Sequence, residues 1–234
     1  MNVLELWRYP VKSMAGERLF SATVTREGFF GDRVLQVYDA ARRVVTSRTR
    51  PLLLAHQGVL GSDGEPLVDG RPWRSPEVAR DVQEAAGPGA HLARGSWRFD
   101  VLPLLVATDG ALTAFGHDHR RLRPNLVVGG VRGLAERSWE GFGIRIGAVI
   151  IALADLRGRC VMTTFDPDTQ EQKTAVLHAI VRDFGGKMCL NASVLAGGRI
   201  AVGDRVELIA AEGLQRAIEA SVRGDGEDAN PWTP

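Results

Sequence analysis

Arg159-Cys160-Val161-Met162-Thr163-Thr164-Phe165-Asp166-Pro167-Asp168-Thr169 is the stretch on which the reading of this chain turns. It follows the apolar run 148–154, so a buried strand delivers a thiol directly beside a guanidinium. A neighbouring positive charge favours the thiolate over the thiol. The threonines and aspartates that follow, with Pro167 among them, are residues that bind nearby backbone and so build turns. Two readings stay open at this point. The stretch is a reactive site, or it is a buried structural cysteine beside a surface turn. Asp166 and Asp168 likewise read either as acid/base groups or as carboxylates bound to their own backbone.

Outward from that stretch the pattern is of many short strands. Residues 3–9 and 18–25 alternate apolar and polar, as half-buried strands do. Residues 34–38 and 43–48 read as a hairpin pair around a turn at 39–42, and 51–60, 65–68 and 71–74 continue the run. Strands at this spacing, with Gly and Asp between them, indicate a barrel or sandwich rather than βαβ units. Ser75-Pro76-Glu77 supplies an N-cap, a first-turn proline and an acid, which predicts a helix to about Ala86. Residues 100–107 and 126–128 read as buried strands joined by a loop, and 139–154 as two strands around Gly147. Val176, Leu177, Ile180, Val181 and Phe184 have helical spacing, and Gly185-Gly186 ends that helix. Residues 189–195 and 205–209 complete the strands, and the tail from about Asp225 reads as disordered.

Composition narrows the classes. The 234 residues are 44% apolar and 24% charged, with a net charge of +1. That is an ordinary globular balance with no global field for nucleic acid or an anionic membrane. Cys160 and Cys189 are the two cysteines, too few for a disulfide framework or for the four thiolates of an iron–sulfur cluster. No apolar run reaches the ~18 residues that span a bilayer, and the first residues do not read as a signal peptide. The expectation is a cytoplasmic protein with reduced thiols. No GxGxxG, GxxxxGK[ST], GxSxG or HExxH pattern occurs. His117-Asp118-His119 is a weak chelate pattern without a third ligand, and Cys189 reads as a buried strand residue. The suggestive cations lie in loops: Lys12, Arg33, Arg48, Arg121, Arg123 and Arg159. Each is near a hydroxyl, amide or glycine turn, which is equipment for holding an oxyanion.

Five segments together resemble a known family: 6–14, Gly31-Asp32-Arg33, 121–128, 159–169 and 198–204. The resemblance is to the MOSC domain proteins, in the branch with an N-terminal β-barrel that includes the mitochondrial amidoxime-reducing component and its bacterial relatives. It implies a β-rich α+β fold, a MOSC-type β-barrel at 96–212 with a smaller N-terminal β-barrel subdomain at 1–95, and a tail at 213–234. It implies a pyranopterin molybdenum cofactor with Cys160 as the metal ligand. Lys12, Ser13, Arg33, Arg48, Arg123, Asn125, Arg159 and Thr163 would grip phosphate and pterin. It further implies reduction of N-hydroxylated or other N–O and S–O compounds, small-molecule substrates, with electrons from a separate ferredoxin or flavoprotein reductase and with Asp166 as a proton source. No nucleic-acid or membrane partner is implied. The sequence departs from the family at Gln170, where glycine is common, and in the short segment 58–100. The alternatives are a sulfur carrier with a Cys160 persulfide and a molybdenum-free enzyme with Cys160 as nucleophile.

Overall fold

Alternation along the strands sorts side chains into separate cores. In the computed structural model, which describes residues 1–95 and 98–216, Leu104 and Val106 face one core while Leu105 and Ala107, one residue out of phase, face another. Strand Leu104–Thr108 is therefore buried on both faces, as its unbroken apolar sequence requires. Each fully buried Leu or Ile in such a strand contributes about 1.5–3 kcal/mol.

The main sheet has eight strands. Their order is Glu207–Ile209, Gly143–Ile146, Val149–Gly158, Lys187–Ala196, Leu104–Thr108, Leu126–Gly129, Asn2–Arg8 and Glu17–Leu19. Neighbours are antiparallel except Leu104–Thr108 and Leu126–Gly129, which run parallel and so need a crossover. Smaller sheets join Leu35–Tyr38 to Val44–Val45 and His91–Arg94, and Ser21–Thr25 to Gly198–Ala201. Strands Asn2–Arg8 and Ser21–Thr25 thus pair with strands from beyond residue 96, across the subdomain boundary expected at 95/96.

Helices α1 (Pro76–Ala86), α2 (Asp109–Phe115) and α3 (Thr174–Phe184) punctuate the strands. Helix α1 begins as read: the Ser75 hydroxyl accepts from Val78 N, Pro76 opens the first turn, and Val78 and Val82 enter the core formed with Val11, Leu35 and Leu53. Helix α3 lays Val176, Ile180 and Phe184 on the outer face of the sheet against Leu105, Val127 and Met188. Among the described residues no helix is long and apolar enough to cross a membrane.

Several expectations need correction. Residues 109–115, read as loop, form α2, which is the crossover; it is too short to show a helical period, and its signal was the Thr108 cap on Ala111 N. Residues 51–55 form a 3-10 turn rather than a strand, since Pro51 presets the first turn and Leu53 and Leu54 reach inward. The segment 18–25 breaks at Phe20 because its two halves serve different sheets. The return strand at 43–48 shortens to Val44–Val45, leaving Thr46 to Thr49 as a turn. Residues 100–103 are loop, and strand His91–Arg94 had gone unread. The tail from Asp225 lies outside the described residues.

Candidate functional site

Strand Val149–Gly158 ends two residues before Cys160. Arg159 N donates to Gly186 O at 2.9 Å, and Cys160 then stands at the head of the 3-10 turn Val161–Thr164. The thiol is thus carried by a turn just past the strand, half-buried. Thr163 Oγ1 donates to Cys160 O at 2.9 Å and Thr164 Oγ1 to Val161 O at 2.6 Å, so the threonines lock the turn that presents the cysteine. Thr163, expected to bind cofactor, is fully buried in this role and does not line the cavity beside the thiol.

Asp166 is also a builder. Its Oδ1 accepts from the backbone N of Asp168 and Thr169 at 3.1 Å each, and its Oδ2 accepts from Arg121 Nη2 at 2.6 Å. The backbone bonds from Thr169 and Asp168, then the Arg121 charge, hold its carboxyl below the usual range. It does not line the Cys160 cavity. Its bonds make it a builder of the turn, placed away from the cavity where the acid role was expected. Arg121, nearly buried, also donates to Thr163 O and Thr164 O, and so ties the end of the 3-10 turn to Asp166.

The cavity itself, of about 220 Å³, gathers eight cationic side chains: Lys12, Arg33, Arg48, Arg98, Arg121, Arg123, Arg157 and Arg159. Opposing them in the lining is one carboxylate, Asp100, which bridges Lys12 Nζ at 2.8 Å and Arg48 Nη2 at 2.7 Å. Burial pushes its carboxyl up, but the Lys12 hydrogen bond and the charges of Lys12, Arg48 and Arg157 outweigh that and leave it lowered. All six loop cations singled out in the sequence converge here. Arg98, Arg157 and Asp100 were missed. Arg157 and Arg159 are two residues apart at a strand end, so the period of two that places one beside the cavity places the other there too.

Three lining residues, Ser13, Arg33 and Arg123, have positive φ (75°, 51° and 57°), uncommon for residues with a Cβ and held only by surrounding structure. Buried Asp32 is the organiser: it accepts Tyr9 N at 2.7 Å and bonds the Arg33 guanidinium and Asn125 Nδ2. The Arg123 and Arg33 guanidiniums stand over the Tyr9 ring at 4.2 and 5.0 Å. Burial pushes the Tyr9 phenol up to about 12, so the ring stays neutral and serves as a cation platform. Asn125 accepts from Leu105 N and Arg33 Nη1 and donates to Trp7 O and Asp32. Its amide is committed to pinning strands, so it supports the site rather than being free to grip a ligand. Arg157 is aimed by Asn191, which in turn donates to Asp155 Oδ1 at 3.0 Å.

Two donors in this cavity have no partner among the described residues: Arg123 Nη2 and Arg159 Nε, both buried. Arg159 uses only Nη2, on Leu122 O at 2.8 Å. Burial lowers the pKa of the Arg159 guanidinium and pushes that of Arg123 down to about 10. A buried unpaired N–H costs about 1–3 kcal/mol, more when charged, and a planar fork of this kind is matched by a phosphate or carboxylate.

The histidines lie elsewhere. His119 pairs with Glu5 at 3.0 Å, His117 packs edge-on to Phe115, and His56 pairs with Asp69. Among the described residues no three His, Cys, Asp or Glu side chains cluster as a metal site. Cys189 is buried as read, with its thiol pushed up to about 11 by burial.

Comparison with known proteins accords with this architecture. The MOSC N-terminal beta barrel domain matches residues 1–69, and the MOSC domain matches residues 109–207. Human mitochondrial amidoxime-reducing component 1 is 24% identical over an alignment covering 72% of this chain and 67% of that protein. Human mitochondrial amidoxime reducing component 2 is 34% identical over 30% of this chain and 22% of its own length. The YuaD protein from Bacillus subtilis, a crystal structure, shares the fold with a TM-score of 0.50 at 14% identity, covering 89% of this chain and 95% of its own. A mostly β fold, both domain matches and the two human relatives agree: this chain is a MOSC domain protein with a MOSC N-terminal β-barrel.

Proposed function

We propose that this protein is a molybdenum-cofactor-dependent oxidoreductase that removes oxygen from N-hydroxylated or related N–O and S–O compounds. The observation that carries the reading is the cavity beside Cys160, where eight cations meet one carboxylate and two buried guanidinium N–H donors lack acceptors. A pyranopterin cofactor bears a phosphate for those donors and a soft metal suited to a thiolate, so the residues present fit it. Arg123 and Arg159, with Arg157 and Ser13, would hold the phosphate and pterin, and Cys160 would be the protein's ligand to the metal. When bound, the cofactor supplies a two-electron redox centre.

The chain's own part is to hold and orient. Arg121 and Asp166 fix the 160–169 turn, Asp32 and Asn125 fix the Arg33 platform, and solvent is left to deliver protons. Electrons come from separate proteins, a ferredoxin or a flavoprotein reductase. A free Cys160 thiol suits a reducing compartment such as the cytoplasm.

The test is metal analysis by mass spectrometry on protein from a host that makes the cofactor, with fluorescence of the released oxidised pterin. Near-stoichiometric molybdenum and pterin are expected. Absence of both in a folded sample would overturn the reading and leave Cys160 as a persulfide carrier or nucleophile.

A further inference from the structure

A second cavity, of about 440 Å³, adjoins the cationic one, and the two share Arg121, Arg123 and Met162. Trp7, Tyr9, Leu54, Met162 and Phe165 give it aromatic and aliphatic walls. Of its four arginines Arg18, Arg120 and Arg121 face carboxylates, Arg18 on Glu5 at 3.7 Å, while Arg123, shared with the first cavity, keeps its open donor at the junction. Arg120 makes two bonds to the Asp168 carboxylate, at 2.9 and 2.6 Å, and Arg121 is bound to Asp166. The Trp7 indole is held by Nε1 on Glu5 Oε2 at 2.6 Å, so this wall is rigid. Gln170 also lines the cavity, at φ 59°, a backbone conformation that costs a side-chain-bearing residue. Its Nε2 donates to Pro167 O and Asp168 O at 3.3 and 3.0 Å, which ties the side chain to the loop that walls the cavity.

Among the described residues the first cavity keeps three arginines without a carboxylate partner, Arg123, Arg157 and Arg159, whereas the second keeps one of these, Arg123, beside aromatic and aliphatic walls. One ligand chemistry does not suit both. We propose that the second cavity binds the uncharged aromatic or aliphatic body of the substrate, with Gln170 limiting the size admitted. The substrate's polar N–O end then lies past Met162, two residues from Cys160. Met162 is a fitting partition, since a thioether side chain adapts its shape to what lies on either side. This inference rests on the oxidoreductase reading of the Cys160 site for the identity of the ligand.

Calorimetric titration of the full chain with benzamidoxime, a flat uncharged amidoxime, tests it without any turnover. Two variants are chosen to leave the fold intact. Ala55 is exposed at the cavity rim, and Gln170→Gly relieves a positive φ. Ala55→Trp should bind benzamidoxime about tenfold more weakly, and Gln170→Gly should bind the longer biphenyl-4-carboxamidoxime about fivefold more tightly, shifts of the size a hydrophobic pocket resolves. Wild-type affinity in Ala55→Trp would overturn the assignment, as would benzoate binding as well as benzamidoxime. Molybdenum measured in the same samples separates the two readings. Metal without probe binding sinks this inference alone, and probe binding without metal keeps the cavity's ligand class while sinking the cofactor reading.

Discussion

Asp100→Asn should tighten the binding of phosphate to the cationic cavity. In the ligand-free chain Asp100 is the counter-ion to Lys12 and Arg48, at 2.8 and 2.7 Å, so an incoming phosphate competes with the protein's own carboxylate for that pair. The side chains of Asp100, Lys12 and Arg48 are 39%, 15% and 45% exposed, which places both ion pairs near the surface rather than in the core. Pairs of this kind are each worth up to about 1 kcal/mol. Two of them set a barrier to displacement of about 1–2 kcal/mol, which converts to roughly 5–30-fold in affinity. The asparagine keeps the shape and removes the charge. Titration calorimetry with inorganic phosphate at pH 7, at low and moderate salt, reads the difference directly. The same variant should lose ligand-free stability by a similar amount, because the cluster is left without its counter-charge. The sign with pH follows: the carboxyl is lowered in the folded chain, so the pairs contribute fully above the ordinary carboxylate pKa and fade as pH falls through the lowered one. Phosphate binding equal to or weaker than wild type in Asp100→Asn would refute the competition.

Other outcomes follow from the same geometry. Cys160→Ser should abolish molybdenum retention with little change in melting temperature, because the thiol is half-buried and makes no core contact that serine loses; retained metal would sink the ligand assignment. Arg121→Met should destabilise by about 3 kcal/mol in urea melts, since it strips a nearly buried cation from Asp166 and from two carbonyls. Asp166→Asn should keep its cofactor content, as the carboxylate does not line the cavity; a large loss of metal there would restore a direct role. Ser75→Ala should cost about 1 kcal/mol through the lost cap on Val78 N, read by thermal melts. Iodoacetamide should label Cys160 in the native protein and Cys189 only after unfolding, because Cys189 is buried with a thiol raised to about 11.

The local elements with strong signals were legible in the residues. The Ser75-Pro76 cap, the 174–184 helix and the strands flanking Gly147 form where periodicity and capping place them. Helix α2 escaped because seven residues hold too little period to read, and residues 100–103 because an apolar run looks the same in a loop as in a strand. Within the site, Cys160 and the loop cations stood out by residue type. Arg157 did not, since the strand was expected to end at Ala154, and Asp100 was read as part of a strand.

Sequence alone determined the thiol beside a guanidinium, the turn chemistry of 163–169 and the cations at loop positions, because side-chain type and short-range spacing are local properties. Convergence was decided only in three dimensions. Lys12, Arg48, Arg123 and Arg159 come from separate segments and meet because strand Asn2–Arg8 pairs with Leu126–Gly129, and strand Val149–Gly158 enters the same sheet. Which amide is spent on the scaffold, which carboxylate holds a turn and which guanidinium keeps an open donor are questions of partners within about 3 Å. Distances between residues far apart in the chain are set by packing of the whole sheet, and no local pattern carries them.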